Sequence, residues 1–244
     1  HTLQSAGGTT TLNATTWTNS GTFDASSGTL DVGGSFTLAG LGTLNHNGGA
    51  FNISGTLDLA TGSINIASGG TFGTGGLGTL SGTIKNGTIS GAIGGTTLTT
   101  SNGTLDNVTL ATSITQSGTL NIKNTVTLAN GTTLDTGNNT VFFNSSNATI
   151  AASGAATLLK SGGNLSTNGN FTSIIGAGVT VQGYGALTNA GYGAAAWQND
   201  GTIDANVSGQ TLTVGNATFT NNGTAKATAG TLFISATNFI NNSG

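Results

Sequence analysis

Short apolar pairs with one residue between them punctuate the chain: Phe36-x-Leu38, Leu57-x-Leu59, Ile64-x-Ile66, Leu120-x-Ile122, Val126-x-Leu128, Leu212-x-Val214 and Leu232-x-Ile234. Most enclose a polar residue, with Gly or Asn nearby. Such alternation marks a strand with one buried face, and the Gly and Asn mark the turns that bound it. No segment sustains an apolar stripe at helical spacing, and so much Gly and Thr works against a helix. The pattern predicts an all-β chain with almost no helix.

The spacing of the strands carries the architecture. Their leading apolar residues fall at Phe23, Leu30, Phe36, Leu44, Phe51, Leu57, Ile64 and Phe72. Taken three at a time they repeat every 21 residues, from Phe23 to Leu44, from Leu30 to Phe51 and from Phe36 to Leu57. Near the other end Trp197, Phe219 and Phe239 recur after 22 and 20 residues, each opening a W/F-x-N phrase. Fixed periods in this range mean a repeat array. Three short strands per period, joined by tight Gly or Asn corners, describe a right-handed parallel β-helix with about 20–22 residues per coil. The complete absence of Pro agrees, because Pro cannot donate to a ladder that has neighbours on both sides. At ~4.8 Å per coil, roughly 10–11 coils make a rod about 50 Å long. An antiparallel sandwich or propeller is the competing architecture, but it calls for longer strands and hairpin turns.

Residues 1–244 therefore read as a single solenoid. Within it, 173–196, "SIIGAGVTVQGYGALTNAGYGAAA", breaks the rhythm and carries both tyrosines, Tyr184 and Tyr192. The expectation there is an irregular Gly/Ala/Tyr coil or a loop bulging from the rod, with a contact surface as the functional alternative.

Composition sharpens this picture mainly by exclusion. Gly, Ser, Thr and Asn in such abundance raise the question of disorder, but 35% of residues are apolar and only 5% are charged. Disordered segments show the opposite balance. The formal net charge of −3 comes from seven Asp and four scattered Lys, too few cations for a nucleic-acid surface. With no Cys there is neither a disulfide scaffold nor a thiolate metal site. No stretch reaches the roughly 18 apolar residues of a membrane helix, so no membrane insertion is expected. The start lacks the pattern of a signal peptide, which suits a processed or excised product.

Candidate chemistry is sparse. The carboxylates are Asp24, Asp31, Asp58, Asp106, Asp135, Asp200 and Asp204, and only Asp200 and Asp204 are close in sequence. Asp204 follows the apolar Ile203, so it should point outward into solvent. Without Glu or Arg there is little material for general acid and base work. His1 and His46 are the only histidines and form no ligand cluster. Neither an EF-hand loop, nor a calcium-binding nonapeptide, nor a P-loop is present. The expectation is a protein that is not an enzyme, with no catalytic residue, no metal and no cofactor. Triplets such as Asn52-Ile-Ser, Asn102-Gly-Thr and Asn107-Val-Thr fit the glycosylation sequon, but a chain built of Asn, Ser and Thr produces many by chance.

Both tryptophans open nearly the same phrase, "WTNSGTFDA" at 17–25 and "WQNDGTIDA" at 197–205. Extended, the phrase reads "WTNSGTFDASSGTLDV", "WQNDGTIDANVSGQTLTV" and "FTNNGTAKATAGTLFI". It resembles the repeats of large bacterial surface proteins, namely haemagglutinin-like adhesins and autotransporter passenger domains. The style covers nearly the whole chain, although the phrase is clean only towards its two ends. The resemblance implies an extracellular or cell-surface rod used for adhesion, matrix or display, with surface glycans or matrix as partners and no catalytic residues. A secretion domain and an outer-membrane anchor, both expected of that family, are missing from the stretch in hand.

Two other readings stay open: a carbohydrate-active β-helix enzyme or tailspike, which needs paired acids, and an ice-binding solenoid, which needs an in-register T-x-T on every coil. Runs such as "TTT" at 9–11 and "TTLTT" at 96–100 hint at threonine ladders. The ends of a β-helix expose unpaired strand edges that invite stacking. Self-association end to end, or contact with neighbouring repeats of a longer chain, is therefore expected, with residues 1–16 as a joining strand. Trp17, Tyr184, Tyr192, Trp197 and Phe239 are the candidate interface residues.

Overall fold

The period of 21 becomes a hydrogen-bonding register. Phe23 pairs with Leu44, Leu30 with Phe51 and Phe36 with Leu57 in parallel ladders. One period along the chain is thus one step up a stack. The computed structural model describes residues 1–242, which form a β-solenoid of about 11 turns with about 21 residues and three strands per turn. Among the described residues there is no helix, and the strands join into one 25-stranded and one 3-stranded sheet.

Period-two patterning decides what lies inside. Leu30, Phe51, Leu57, Ile64, Leu105 and Ile122 have no exposed surface, and each contributes on the order of 1.5–3 kcal/mol by leaving water. The residues between them face out. Corners are tight because stacked backbones approach closely there. A side chain on Gly55 would meet the Gly34 carbonyl oxygen at 2.1 Å, and one on Gly82 would meet that of Gly55 at 1.9 Å. Neither Gly55 nor Gly82 has a positive φ. These glycines are required for space, not for backbone conformation.

Two expectations need correction. Phe72 does not lead a strand. It lies in the stretch between Ser63–Asn65 and Thr79–Leu80, fully buried and stacked on Phe51 at 5.3 Å. His46, only 1% exposed, pins this excursion, its Nδ1 lying 2.8 Å from the Phe72 carbonyl oxygen and its Nε2 2.7 Å from that of Gly49. The aromatic ring is drawn inward by burial even though the backbone leaves the ladder.

The segment 173–196 is also far more regular than its composition suggests. Thr172–Ile175 and Val179–Asn189 are strands, the second of 11 residues and paired with Ala156–Thr167. Parallel neighbours on both sides supply the backbone bonds that its own Gly and Ala side chains do not encourage. Only a short turn at 176–178 and the loop 190–195 leave the ladder.

The interior is not purely apolar. Thr115 pairs with Asp135, Asp135 with Leu159, and Lys160 with Gly183. The next residue in each strand therefore stacks Gln116, Thr136 and Lys160 into one column, and all three are buried. Lys160 Nζ and Gln116 Oε1 have no hydrogen-bond partner among the described residues. Burial pulls the Lys160 ammonium down from 10.5 to about 8.

Candidate functional site

The repeated W-x-N-x-G-T phrase builds one corner of a coil. Trp17 is half-buried, donates its Nε1 hydrogen to the Gly33 carbonyl at 2.8 Å, and stacks on Phe36 at 4.4 Å. Trp197 is buried, donates to the Thr188 carbonyl at 3.0 Å, and meets Phe143 edge-on at 4.8 Å. Of the candidate interface residues, Trp197 is thus core. Two residues on, Asn19 and Asn199 turn the corner by bonding to the Gly21 and Gly201 carbonyls. Asn199 also donates to Asn221 Oδ1 at 2.7 Å, and Asn221 donates to Asn241 Oδ1 at 2.8 Å. A second amide ladder joins Asn168 to Asn144 and Asn144 to Asn121, each at 2.7 Å. The phrase recurs because each copy stacks on the next.

Charge follows the same register. Asp58 pairs with Lys85, Lys85 with Asp106, and Asp106 with Lys123, so one outer column alternates in sign. Lys85 Nζ lies 3.3 Å from Asp58 Oδ2. Hydrogen bonds, first from the Ala60 amide and then from Asn86, together with Lys85, hold the Asp58 carboxyl below its ordinary value. Asp24 is lowered likewise by the Ser26 hydroxyl and amide and by Asn45. Of these pairs only Lys85 and Asp106 stand one period apart in the sequence; the other two depend on coils longer and shorter than the period.

Asp200 and Asp204 do not share partners. Asp200 accepts from Gln198 and from Asn222. Asp204, expected in solvent, is only 8% exposed, because the coil above folds over it. Its Oδ1 accepts from the Thr228 amide and hydroxyl, and its Oδ2 lies 3.5 Å from Lys226 Nζ. This is a structural arrangement, and Asp204→Ala is expected to destabilise the last coils by about 1–3 kcal/mol. Thermal melting checks this, and an unchanged midpoint would show that these bonds hold nothing.

Tyr184 and Tyr192 part company. Tyr184 is half-buried in its strand, while Tyr192 is 41% exposed in the loop 190–195. That loop is tied at both ends, by the Gly191 amide to Asn189 Oδ1 at 2.7 Å and by the Ala194 amide to Asn170 Oδ1 at 3.1 Å. Tyr192 thereby walls a groove of about 550 Å³ whose other sides include Thr188, Asn189, Thr213, Asn216 and Ser235. Gly215 leaves room in the middle. Leu187, Val214 and Ile234 are in register, so Thr188, Gly215 and Ser235 follow one step along. A side chain on Gly215 would come within 2.8 Å of Ser235 Oγ. Asn189 donates to Asn216 Oδ1 at 3.0 Å, and Asn216 Nδ2 is buried without a partner among the described residues. No charged residue lines the groove.

No family model, curated protein or solved structure matches this chain. The geometry of the solenoid itself therefore carries the functional argument. Among the described residues no group of three or more His, Cys, Asp or Glu side chains could hold a metal ion, and no helix is long and apolar enough to cross a membrane.

Besides the groove, the terminal coil is distinctive. Phe233, Phe239 and Ile240 are 55%, 46% and 40% exposed, and Phe239 stacks on Phe219 at 5.5 Å with its other face open. Leu3 is 38% exposed at the opposite end. Outward threonines form a column through Thr133, Thr157, Thr180, Thr202 and Thr224. The positions two residues on are Asp135, Leu159, Gln182, Asp204 and Lys226, so no T-x-T face is built there.

Proposed function

We propose that this β-solenoid is an extracellular structural or adhesive rod whose terminal coils stack on further coils, those of a second copy or of further repeats in one chain. The observation that carries this reading is the in-register stack itself, about 11 coils whose ladders and whose apolar column Trp197–Phe219–Phe239 run on along the rod from coil to coil. A further coil would cover Phe239, which continues that column, and pair the strand Asn238–Asn241, as each earlier coil does for the one below. A head-to-tail contact of this kind is heterologous and grows without closing. Three of the four lysines lie in register with aspartates, and the fourth is buried, which leaves no basic surface for nucleic acid. The rod is proposed to be non-catalytic, its carboxylates being engaged in corner and ladder contacts. The absence of Met and Cys suits a long-lived exposed protein.

Electron microscopy of the purified protein tests the stacking, with rods joined end to end as the expected result. Deletion of residues 1–16, which include the strands Thr2–Gln4 and Thr9–Leu12, is expected to shorten or abolish these assemblies. Filaments that form equally well from the truncated chain would remove the joining-strand version. Single rods at all concentrations would remove stacking between copies.

A further inference from the structure

The groove beside Tyr192 has features that a ladder corner does not need. The chain leaves the strands over 190–195, a shorter excursion than that around Phe72 but one that carries an exposed tyrosine. The excursion is anchored at both ends by asparagine side chains, which holds an aromatic ring at the rim. The opposite wall presents Thr188, Thr213 and Ser235 hydroxyls on successive coils. Neighbouring coils are separated by ~4.8 Å, close to the length of one sugar ring. Gly215 keeps the space between Thr188 and Ser235 clear. Its φ is not positive, so the backbone does not demand glycine there.

We propose that this groove binds a neutral saccharide of one or two rings. The volume of about 550 Å³ lies within the ordinary range of small-molecule sites. A lining of hydroxyls and amides without any charge selects a ligand that is itself uncharged and rich in hydroxyl groups. The exposed face of Tyr192 gives the apolar side of a sugar ring a surface to rest on, and its amphipathic ring has few degrees of freedom to lose. Asn216 supplies the specific polar element. Its Oδ1 is taken by Asn189, while its buried Nδ2 lacks an acceptor among the described residues, and leaving such a donor unmet is costly. A ligand hydroxyl oxygen at the groove floor, reached as the Asn216 amide shifts, meets that donor. The proposal deepens the adhesive part of the proposed function and rests on it only for its biological meaning. The binding itself is read independently of rod assembly, so a negative result leaves end-to-end stacking standing.

The experiment is saturation-transfer NMR followed by calorimetry on the full chain, using cellobiose, maltose and lactose as neutral probes and sialyllactose as the charged contrast. At least one neutral disaccharide is expected to bind, and sialyllactose to bind no better than lactose. Tyr192→Ala, in an exposed loop, is expected to weaken binding roughly tenfold with an unchanged melting midpoint. Gly215→Val, which fills the groove, is expected to abolish it. Should Gly215→Val fail to fold, Tyr192→Ala decides alone. Absence of binding by all three neutral sugars overturns the proposal. So does preference for the charged probe, or neutral binding that survives Tyr192→Ala at full strength.

Discussion

Ile122→Asp is expected to break the rod at its centre. Ile122 has no exposed surface and sits in the strand Leu120–Leu128, with Leu105 on the coil below and Phe143 on the coil above. The strand's own Lys123 cannot pair with a carboxylate there, since it faces the opposite side of the sheet and is exposed. The side chain either takes a proton or drags water into the interior, and both are costly. Together with the lost Ile packing, the expected loss is about 4 kcal/mol or more, at the extreme of single substitutions. In a solenoid each coil touches only its neighbours, so the damage concentrates around the substituted coil. Circular dichroism, melting and limited proteolysis should together show lost strand signal, a lower midpoint and new cleavage between the strands Gly103–Leu110 and Val141–Phe143. Ile64→Asp, at an equally buried position, should behave alike. Native spectra and melting for both variants would mean that these residues do not face the interior.

Lys160→Met is expected to stabilise the protein near neutral pH. The side chain is 1% exposed, and burial lowers its ammonium from 10.5 to about 8. In the unfolded chain the amine keeps its proton up to about its ordinary value. Below pH 8 both states are protonated, and the folded state bears the full cost of a buried charge. As the pH climbs from 8 towards 10.5, the folded state has shed a proton that the unfolded state still holds, so stability rises with pH. A shift of this size corresponds to about 3 kcal/mol. Methionine removes the charge while keeping a flexible chain of similar bulk, so the gain appears at pH 7 and fades towards pH 10.5. The measurement is the difference in unfolding free energy between variant and parent across that range, which cancels the titration of the other lysines and the tyrosines. A difference that does not change with pH would show that Lys160 is not buried as a cation.

Much of this molecule is readable in one dimension. The pairs Phe23–Leu44, Leu30–Phe51 and Phe36–Leu57 follow from spacing alone, because a coil that buries a narrow interior must return to the same face after a constant number of residues. Alternation separates inner from outer residues, and the recurrence of Trp197, Phe219 and Phe239 specifies their column. The stretch 173–196 misled for a physical reason. Gly and Ala have poor strand propensity, but a strand with ladders on both sides takes its order from its neighbours.

Function was less legible than fold. Tyr192 and Tyr184 look alike in the sequence, and only the anchoring of 190–195 leaves one exposed at a groove and the other half-buried in a strand. Asn216 and Gly215 carry no signal in a chain full of Asn and Gly, since their meaning depends on which residues stand one coil above and below.

The coil, its period, its inner face and the scarcity of charge are all written along the chain. Stacking of the coils is what covers Asp204 with Lys226 and Thr228, turns Lys160 inward, packs Phe72 on Phe51 from outside the ladder, and opens a neutral groove beside Tyr192. One cause underlies all four. Period and alternation are properties of the chain taken one residue at a time, whereas burial and partnership between coils arise from residues 20 or more positions apart, brought within a few ångströms by the stack.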